Sequence, residues 1–576
     1  MTTSLTFTGI GRISEARGCK AILVCLMFAV FIFSALSSMA GDSPTFDEQF
    51  HLYSGYNYLF LRDFSIGLAQ PPLARLLAAI PLAVTNDNNP PRELWAAPLP
   101  RHSDYSTWWQ YEAARDFYYG LSNPARSLFW SRFVMVLVGA ALAAFVYKWS
   151  VEAFGFKAGV LALVFCILDP NLLAHARLVN TDVAATLGIF AAVYSMWRYS
   201  RTPSHKWLLA SAAAAGAAIV SKYSALVVLP ILSLFVLVNV LLQMRVGGNV
   251  SVLRVAWRAS GRLVAFFAVV LVVVWICYFP DLSSQFQRPS SREFSEAMRI
   301  APSSHSRILS AGELLFPSHF LQGLTLVVAQ QKHPPPAFLM GEYSSSGWWQ
   351  YFPTCFLIKT PIPLMAALGL FVYLASRRKL SIHAVANLYL MLPPVIIFGS
   401  SMASDLNIGI RHILPIYPFL FVLAGGIASS TFANRIAGKL VVVALCLWSA
   451  FASIRTYPHY LAYFNELIGG PENGYRYLID SNLDWGQDLD RLSNYLIENN
   501  VQDIRLKYFG TALPEKHGIK YRPLPCEPVA GTIAISVTCL QGRNGPSCYR
   551  WLKKHEPIER IGYSIFIYKI GDPPRE

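Results

Sequence analysis

The chain has 576 residues, of which 54% are hydrophobic and only 14% are charged. This composition excludes an ordinary soluble protein and indicates an integral membrane protein. The formal net charge of +15 does not indicate nucleic-acid binding, because the basic residues cluster between apolar runs, as the orientation bias of membrane helices predicts.

Apolar runs long enough to cross a bilayer recur along the chain. A helix needs about 20 apolar residues for this, and we predict about eleven such spans, of which the third to sixth are short or closely joined, so the number stays open by about two. The first run is longer than a typical signal core and is predicted to be retained. The predicted spans are residues 20–40, 128–147, 157–171, 181–198, 207–221, 223–243, 261–280, 353–376, 386–403, 411–430 and 437–456.

Basic residues predict the orientation of these spans. Arg12, Arg17 and Lys20 precede the first span, and every second connection after it is also basic. Lys and Arg accumulate on the cytoplasmic side, so we expect a multi-pass protein of the cytoplasmic (inner) membrane with a cytoplasmic N-terminus. An odd number of spans then places loops 41–127 and 281–352, and the C-terminal tail, on the extracytoplasmic side.

The composition turns polar from Tyr457, which predicts two domains: a transmembrane domain, residues 1–456, and a small extracytoplasmic α/β domain, residues 457–576. The stretches IRLKYFG, GTIAISV and GYSIFIYKI alternate as strands do, and DSNLDWGQDLDRLSNYLIENN is typical of a loop leading into an amphipathic helix. We therefore expect an all-α polytopic protein with a C-terminal α/β domain. Cys526, Cys539 and Cys548 offer one disulfide in an oxidising compartment, with the pairing open.

An acidic pair, Asp47 and Glu48, follows the first span and is the first candidate for chemistry. One interpretation is a solvated loop, or an N-cap for a helix starting near Gln49. The other is a general base, or a ligand for a divalent cation, at the mouth of a cavity. A partly desolvated carboxylate there would accept a proton near neutral pH.

Further ionisable residues are predicted at the same outer side of the membrane. They are Asp182, Lys222, Arg411 and His412. Ionisable groups near hydrocarbon are costly, so their convergence predicts a shared polar cavity. Asp182 is as well suited to capping its helix, and Lys222 and Arg411 are either snorkelling anchors or ligands for a phosphate. His412 is ambiguous, because no metalloprotease or P-loop pattern is present.

The outer loops are rich in aromatic residues. Interfacial anchoring explains most of these, but Trp348, with Glu342 and His333 close by in sequence, is also a candidate for a sugar or lipid-headgroup pocket. The tail segment with Asp480, Asp484 and Trp485 fits a helix-start loop or a sugar-stacking site, and fits calcium poorly because its spacing is not that of an EF-hand.

Several stretches resemble one family. These are the acidic pair after the first span, the QPPL segment leading to AAIPL, and DPNLLAHARLVNTD, SKYSALVVLP, GWWQYFPTCFLIKTPIPL, GIRHILPIYPFL and YPHYLAYFNELIGGPENGYRYLIDSNLDWGQDL. The chain is thereby similar, to about residue 490, to the polyprenyl-phosphate-sugar-dependent glycosyltransferases of family 39, in an uncharacterised bacterial branch. That family has the GT-C fold and includes protein O-mannosyltransferases and aminoarabinose transferases. Its members usually show His-Pro-Pro where this chain has Gln70-Pro71-Pro72.

The resemblance implies transfer of a sugar from a polyprenyl-phosphate donor to a protein or glycolipid acceptor at the outer membrane face, by an inverting displacement. It implies that Asp47, with Glu48 beside it, is the catalytic aspartate of the first loop and that Asp182 is the second acidic residue of the site. Lys222 and Arg411 are predicted to bind the lipid phosphate on the basis of charge and location. No cofactor is firmly implied, and a divalent cation remains a candidate. The expected partners are the donor, membrane lipid and the acceptor.

Two other functions are compatible with parts of this sequence. A lipid-linked-sugar transporter or flippase is also polytopic, but transporters tend to place their site near the bilayer midplane on repeated, broken helices, and no repeat is visible here. An assembly or binding protein would use the tail to recognise a partner, and the acidic pair would then be incidental.

Overall fold

The computed structural model describes residues 5–85, 108–245, 252–279, 281, 315–332, 334–380, 384–543, 545 and 547–571. His333 lies outside these ranges. The α-helices of seven or more residues are α1 (Leu5–Ser38), α2 (Glu48–Tyr56), α3 (Leu73–Val84), α4 (Trp108–Tyr119), α5 (Pro124–Phe154), α6 (Phe156–Ile167), α7 (Pro170–Ala176), α8 (Asp182–Arg201), α9 (His205–Ile219), α10 (Val228–Arg245), α11 (Val252–Tyr278), α12 (Ser318–Lys332), α13 (Tyr351–Lys359), α14 (Ile362–Ser376), α15 (Ala384–Met402), α16 (Tyr417–Gly425), α17 (Ile436–Thr456) and α18 (Leu489–Glu498). The strands are β1 (Ala337–Leu339), β2 (Glu342–Ser344), β3 (Ile504–Lys507), β4 (Arg522–Pro523), β5 (Gly531–Ser536), β6 (Glu559–Ile561) and β7 (Ile565–Ile570).

Each of the predicted spans coincides with a helical segment or with a pair of helices. Within the described residues, five helices are long and apolar enough to cross a membrane, and up to seven spans result if each of two bent helix pairs counts as one. Large apolar side chains point outward on these helices, such as Phe33 in α1, which is 71% exposed. The protein is therefore a multi-pass membrane protein, and the full number of crossings stays a prediction.

The two bends follow from proline. Helices α6 and α7 meet at 65°, and α13 and α14 meet at 103°. Pro170 and Pro361 stand at these breaks, and a proline disfavours the helical conformation of the residue before it. Asp169 then begins α7 as its N-cap, accepting a hydrogen bond from the Leu172 N–H at 2.8 Å. The bends break two predicted spans into angled halves.

The helical core is closely packed. Trp149 of α5 is fully buried, with ring centroids 5.0 Å from Phe190 and 5.9 Å from Phe419. Helices α8 and α9 approach so closely at Gly188 that a Cβ there would lie 2.8 Å from the Ala218 backbone. Membrane helices gain little from apolar burial against one another, so small residues that permit close contact stabilise such pairs.

The tail holds a five-stranded sheet in the order β4-β3-β5-β7-β6. Strands β3 and β5 are parallel, whereas β5 and β7 are antiparallel. Helix α18 buries Leu489 and Leu492 in a cluster with Ile567 of β7. The three strands and the amphipathic helix that the sequence predicted here are confirmed.

One disulfide is present in the tail. It joins Cys526 to Cys548. Cys539 is buried in the helical turn Val537–Leu540, which directly follows β5. The sequence left open whether the three tail cysteines form a disulfide, and the structure pairs Cys526 with Cys548.

The first loop and the tail are bonded to each other. The Ser43 and Phe46 N–H groups donate to the carbonyl oxygens of Gln487 and Trp485 at 3.0 and 2.8 Å. Asp42 bridges Arg177 and Arg491, each at 2.6 Å. Burial raises the pKa of Asp42, but attraction by the two guanidinium groups outweighs it, so the pKa is lowered and the carboxylate stays ionised. The start of the outer loop is thus held between the helices and the tail.

Candidate active site

Glu48 is the first residue of α2 and points into the protein. Its side chain is 1% exposed, and both oxygens are fully engaged. Oε1 accepts from Arg132 Nε and the Val179 N–H, each at 2.9 Å. Oε2 accepts from Arg132 Nη2 at 2.5 Å and the Thr45 N–H at 2.9 Å. Four donors occupy the acceptor positions of this carboxylate, which leaves none for a substrate.

Asp47 points to the other side of the same turn. It occupies the N-cap position of α2, but its side chain makes no capping hydrogen bond. Oδ1 accepts from the Tyr111 hydroxyl at 3.2 Å, and Oδ2 lies 3.5 Å from Arg411 Nη1. Burial and the Asp47 charge raise the pKa of Tyr111 well above its usual range, so its hydroxyl stays a donor. Asp47 is 18% exposed, so it combines ionic contacts with access.

Four predicted site residues form one chain of charges. Arg411 Nη1 lies 3.5 Å from Asp47 and 3.9 Å from Asp182 Oδ2, and Asp182 Oδ1 accepts a hydrogen bond from Lys222 Nζ. Asp182 begins α8, Lys222 directly precedes the short 3₁₀ helix Tyr223–Val227 that leads into α10, and Arg411 lies in the single helical turn Ile410–His412. The convergence predicted from the sequence is therefore present, and with Asp47 at the start of α2 four separate helical segments supply it.

Several buried polar atoms around this chain have no hydrogen-bond partner among the described residues. They include Asp182 Oδ2, Arg411 Nε, His412 Nε2 and both ring nitrogens of His175. Buried polar atoms are costly when left unpaired. These atoms surround the charge chain, and a ring nitrogen of His412 is among them.

The two candidates from the second outer loop lie differently. Glu342 is exposed in the antiparallel ribbon of β1 and β2, and no described contact joins it to the charge chain. The N–H of Trp348 donates to Asn407 Oδ1 at 2.6 Å, so Trp348 packs against the loop that leads to Arg411. Of this pair, only Trp348 has a described contact with the loop that leads to Arg411.

His51 and Arg75 were not singled out in the sequence and also belong to the site. Arg75 is 1% exposed, donates from Nε to His51 Nδ1 at 3.0 Å, and leaves Nη2 unpaired. Burial and the neighbouring cations Arg75 and Arg411 lower the pKa of His51 well below its usual range, so the ring stays neutral and accepts this bond. Gly67 has φ +70° and its carbonyl oxygen accepts from Arg75 Nη1 at 2.6 Å. The sequence did contain one indication of this role, because Arg75 is a charged residue in the apolar stretch that follows Gln70-Pro71-Pro72.

The tail segment Asp480–Asp488 covers the charge chain. The face of the Trp485 ring contacts the Arg411 guanidinium, with the ring centroid 4.5 Å away. Asn482 Oδ1 accepts from the Ile410 N–H at 2.9 Å, and the Ser481 hydroxyl donates to the Ile408 carbonyl at 2.6 Å. These contacts orient Arg411. The segment is therefore a support for the site, a role that the sequence did not distinguish from calcium or sugar binding.

Asp484 within this segment is expected to make stability fall as pH rises. Burial raises the pKa of its carboxyl group to about 8, compared with about 3.9 in an unfolded chain. The folded state keeps a proton that the unfolded state releases, so the stabilisation is complete below about pH 4 and is lost as pH rises through about 8. The thermal unfolding midpoint should fall between about pH 5 and about pH 8.5, and Asp484→Asn should remove most of that fall. An equal fall in both proteins would contradict the assignment.

No group of three or more His, Cys, Asp or Glu side chains is arranged to hold a metal ion within the part of the chain that the structure describes. The divalent cation considered from the sequence stays a prediction.

Residues 125–278 match the family model described as dolichyl-phosphate-mannose-protein mannosyltransferase. No curated protein sequence matches significantly. The chain is similar in structure to the Pmt1-Pmt2 protein O-mannosyltransferase complex of S. cerevisiae bound to the sugar donor, with 13% identity, TM-score 0.51, and coverage of 88% of this chain and 95% of that chain. It is also similar to ArnT from Cupriavidus metallidurans bound to undecaprenyl phosphate, with 14% identity, TM-score 0.45, and coverage of 94% and 97%.

The family-model match, which spans less than half of the chain, and the fold shared with the yeast protein agree with the resemblance that the sequence indicated. The family model covers α5 to α11, which includes Asp182 and Lys222. At 13% identity the similarity to the yeast protein, which has the higher TM-score of the two, concerns the fold alone.

Proposed function

We propose that this protein transfers a sugar from a polyprenyl-phosphate-linked donor to an acceptor hydroxyl at the outer face of the cytoplasmic membrane. The observation that carries the proposal is the chain Asp47, Arg411, Asp182 and Lys222, in which the partly accessible Asp47 carboxylate adjoins Arg411 and Asp182 links Arg411 to Lys222. A base beside phosphate-binding cations is what transfer from a lipid phosphate requires.

The reaction would proceed by a single inverting displacement. Asp47 removes the proton from the acceptor hydroxyl while that oxygen attacks the anomeric carbon from the face opposite the phosphate. The bond between the anomeric carbon and the phosphate oxygen breaks, and the polyprenyl phosphate leaves with its electron pair. Lys222 and Arg411 stabilise the negative charge that develops on the phosphate, Lys as a point charge and Arg through its planar fork.

The two other carboxylates would act indirectly. Asp182 contacts both Lys222 and Arg411, so it sets the spacing of the two cations. Glu48, with four donors on its oxygens, would hold the turn that presents Asp47. In this proposal Asp47 is the base and Glu48 is a positioning residue, a distinction that the sequence left open.

The transporter alternative fits these observations less well. The charged residues lie at helix ends beneath the tail segment Asp480–Asp488, whereas transporters place their sites near the midplane. The cytoplasmic N-terminus, the extracytoplasmic tail and the inner-membrane location belong to the proposal, and they rest on the distribution of Lys and Arg.

The proposal is tested by offering the purified protein in lipid nanodiscs a panel of radiolabelled polyprenyl-phosphate sugars together with membrane extract. We expect label from one donor to move to an acceptor, with inversion at the anomeric carbon. If no donor in the panel loses its label to an acceptor, the transferase assignment is wrong and a transporter assay with the same donors becomes the next test.

Arg411→Lys is expected to weaken donor use while the protein still folds. The charge beside Asp47 and Asp182 is kept, but the bidentate fork and the stacking on Trp485 are lost. Hydrogen bonds to charged groups contribute about 1.5–3 kcal/mol, so KM for the donor should rise about 10- to 100-fold. Arg435→Lys, at an exposed residue, is the matched control. An unchanged KM in Arg411→Lys would remove Arg411 from the phosphate site.

A further inference from the structure

A pocket separates α4 from the tail sheet, and the activity proposed above leaves it without a role. Its volume is about 290 Å³, near the lower end of the range of about 300–1,000 Å³ for small-ligand sites. Trp108, Tyr111 and Arg115 line it from α4. Lys507, at the end of β3, and Tyr521, just before β4, line it from the tail. Aromatic rings and charged groups thus face each other across it.

The pocket adjoins the proposed base through Tyr111. The Tyr111 side chain lines the pocket while its hydroxyl donates to Asp47 Oδ1 at 3.2 Å. Phe46, next to Asp47 in sequence, packs on Tyr111 and Trp108 with centroid distances of 5.4 and 6.3 Å. The Phe46 carbonyl oxygen accepts from Thr511 on the tail side at 2.8 Å. The body of a molecule held in the pocket is therefore one aromatic side chain away from Asp47, and a hydroxyl group that reacts must extend past the Tyr111 ring to reach the carboxylate.

The pocket also lies apart from the cations assigned to the lipid phosphate. Neither Lys222 nor Arg411 lines the pocket, whose walls come from α4 and from the tail. A donor anchored in lipid and an acceptor in this pocket would approach Asp47 from different sides. Inverting displacement requires such an arrangement, because the acceptor oxygen attacks opposite the leaving phosphate.

We propose that this pocket binds the acceptor and that the acceptor is a saccharide. The apolar C–H face of a sugar ring packs on aromatic rings such as Trp108 and Tyr521, while its hydroxyl groups hydrogen-bond to charged groups such as Arg115 and Lys507. A hydrocarbon chain would form no hydrogen bonds with these charged groups. The inference rests on the proposed transferase function and adds the class of its acceptor.

A peptide acceptor fits the pocket less well. Extended peptides are commonly recognised by adding a strand to an open sheet edge. The edge strand on this side is β4, which has only two residues, Arg522 and Pro523, and proline has no backbone N–H to donate. The sheet therefore offers little backbone for a peptide to pair with.

The test measures binding separately from catalysis. Full-length protein in nanodiscs is mixed with chitobiose, cellobiose or maltotriose, and saturation-transfer NMR records contact between protein and sugar. At least one sugar should give a signal, and Trp108→Ala with Tyr521→Ala should lower that signal at least fivefold. Ile497→Ala is the matched control, because Ile497 is 72% exposed on α18 and does not line the pocket.

Each other result overturns the inference. It fails if no sugar gives a signal with the unsubstituted protein, if the double variant keeps the signal, or if only a serine-containing peptide binds in a way that depends on Trp108. Asp47→Asn keeps the outcomes apart: it should bind the sugar normally while losing transfer. Sugar binding without any transfer would refute the transferase function and leave the saccharide site standing.

Discussion

Asp47→Asn is expected to lower kcat for sugar transfer by about 10²–10⁴-fold, the usual contribution of a general base. Asparagine keeps the shape of the side chain but cannot accept the acceptor's proton. The Tyr111 hydroxyl can still donate to the remaining carbonyl oxygen, so the protein should fold and bind the donor. The measurement is single-turnover transfer of labelled sugar in nanodiscs, with donor affinity determined in parallel.

Asp503→Asn is the control for this substitution, because Asp503 is an exposed tail carboxylate whose side chain is 68% accessible and which pairs with Arg522. It should transfer at the unsubstituted rate. Full transfer by Asp47→Asn would show that another group accepts the proton and would remove Asp47 from the mechanism.

Glu48→Gln is expected to damage folding far more than Asp47→Asn does. It would leave the Arg132 guanidinium buried without its counter-charge, because Arg132 is 3% exposed and pairs with Glu48 at 2.5 Å. Breaking a buried ion pair from one side costs about 3–5 kcal/mol. The amide group would also turn an N–H donor towards the N–H of Thr45 or Val179. Expression and the midpoint of thermal unfolding in detergent should both fall.

Glu48→Gln combined with Arg132→Met tests the cause. Removing both charges avoids an unpaired guanidinium, so part of the lost stability should return. Recovery should be incomplete, since Arg132 also donates to the carbonyl oxygens of Asp42 and Ser43 at 2.9 and 3.0 Å. A Glu48→Gln protein of normal stability that cannot transfer sugar would instead place Glu48 in the chemistry.

These neighbours illustrate what the sequence could and could not provide. Asp47 and Glu48 carry the same functional group, and their difference lies in which side of one helical turn each faces. That direction depends on Arg132, which is 84 residues away from Glu48, and on Val179, which is 131 residues away. No local pattern encodes such a pairing, so the two carboxylates could not be separated before the fold was known.

The helices were predictable because hydropathy over about 20 residues directly reflects the bilayer. The bends at Pro170 and Pro361 carried a local signal, since proline restricts its predecessor, although the angles of 65° and 103° depend on packing. The chain from Asp47 to Lys222 was predictable in outline, because ionisable groups beside hydrocarbon cluster where they stabilise one another.

Arg75 and Trp485 were harder to assign for different reasons. Arg75 stands in an apolar stretch and its partners include His51, 24 residues earlier. Trp485 lies in the tail, and its contact with Arg411 depends on how the tail docks. Stacking on a guanidinium and stacking on a sugar ring require the same aromatic side chain, so composition alone does not distinguish them.

The hydrogen bonds between Ser43 and the segment Gly486–Leu489 also determine when the site around Asp47 can assemble during synthesis. They join residues 443 and 446 positions apart. The N-terminus leaves the ribosome first. The first loop is therefore made before the later membrane helices insert, and its hydrogen-bond partners in the tail are made only afterwards. Contacts of such long sequence separation form late. Asp47 therefore receives its final surroundings only when nearly the whole chain has been made, and a prematurely terminated chain cannot assemble a working site.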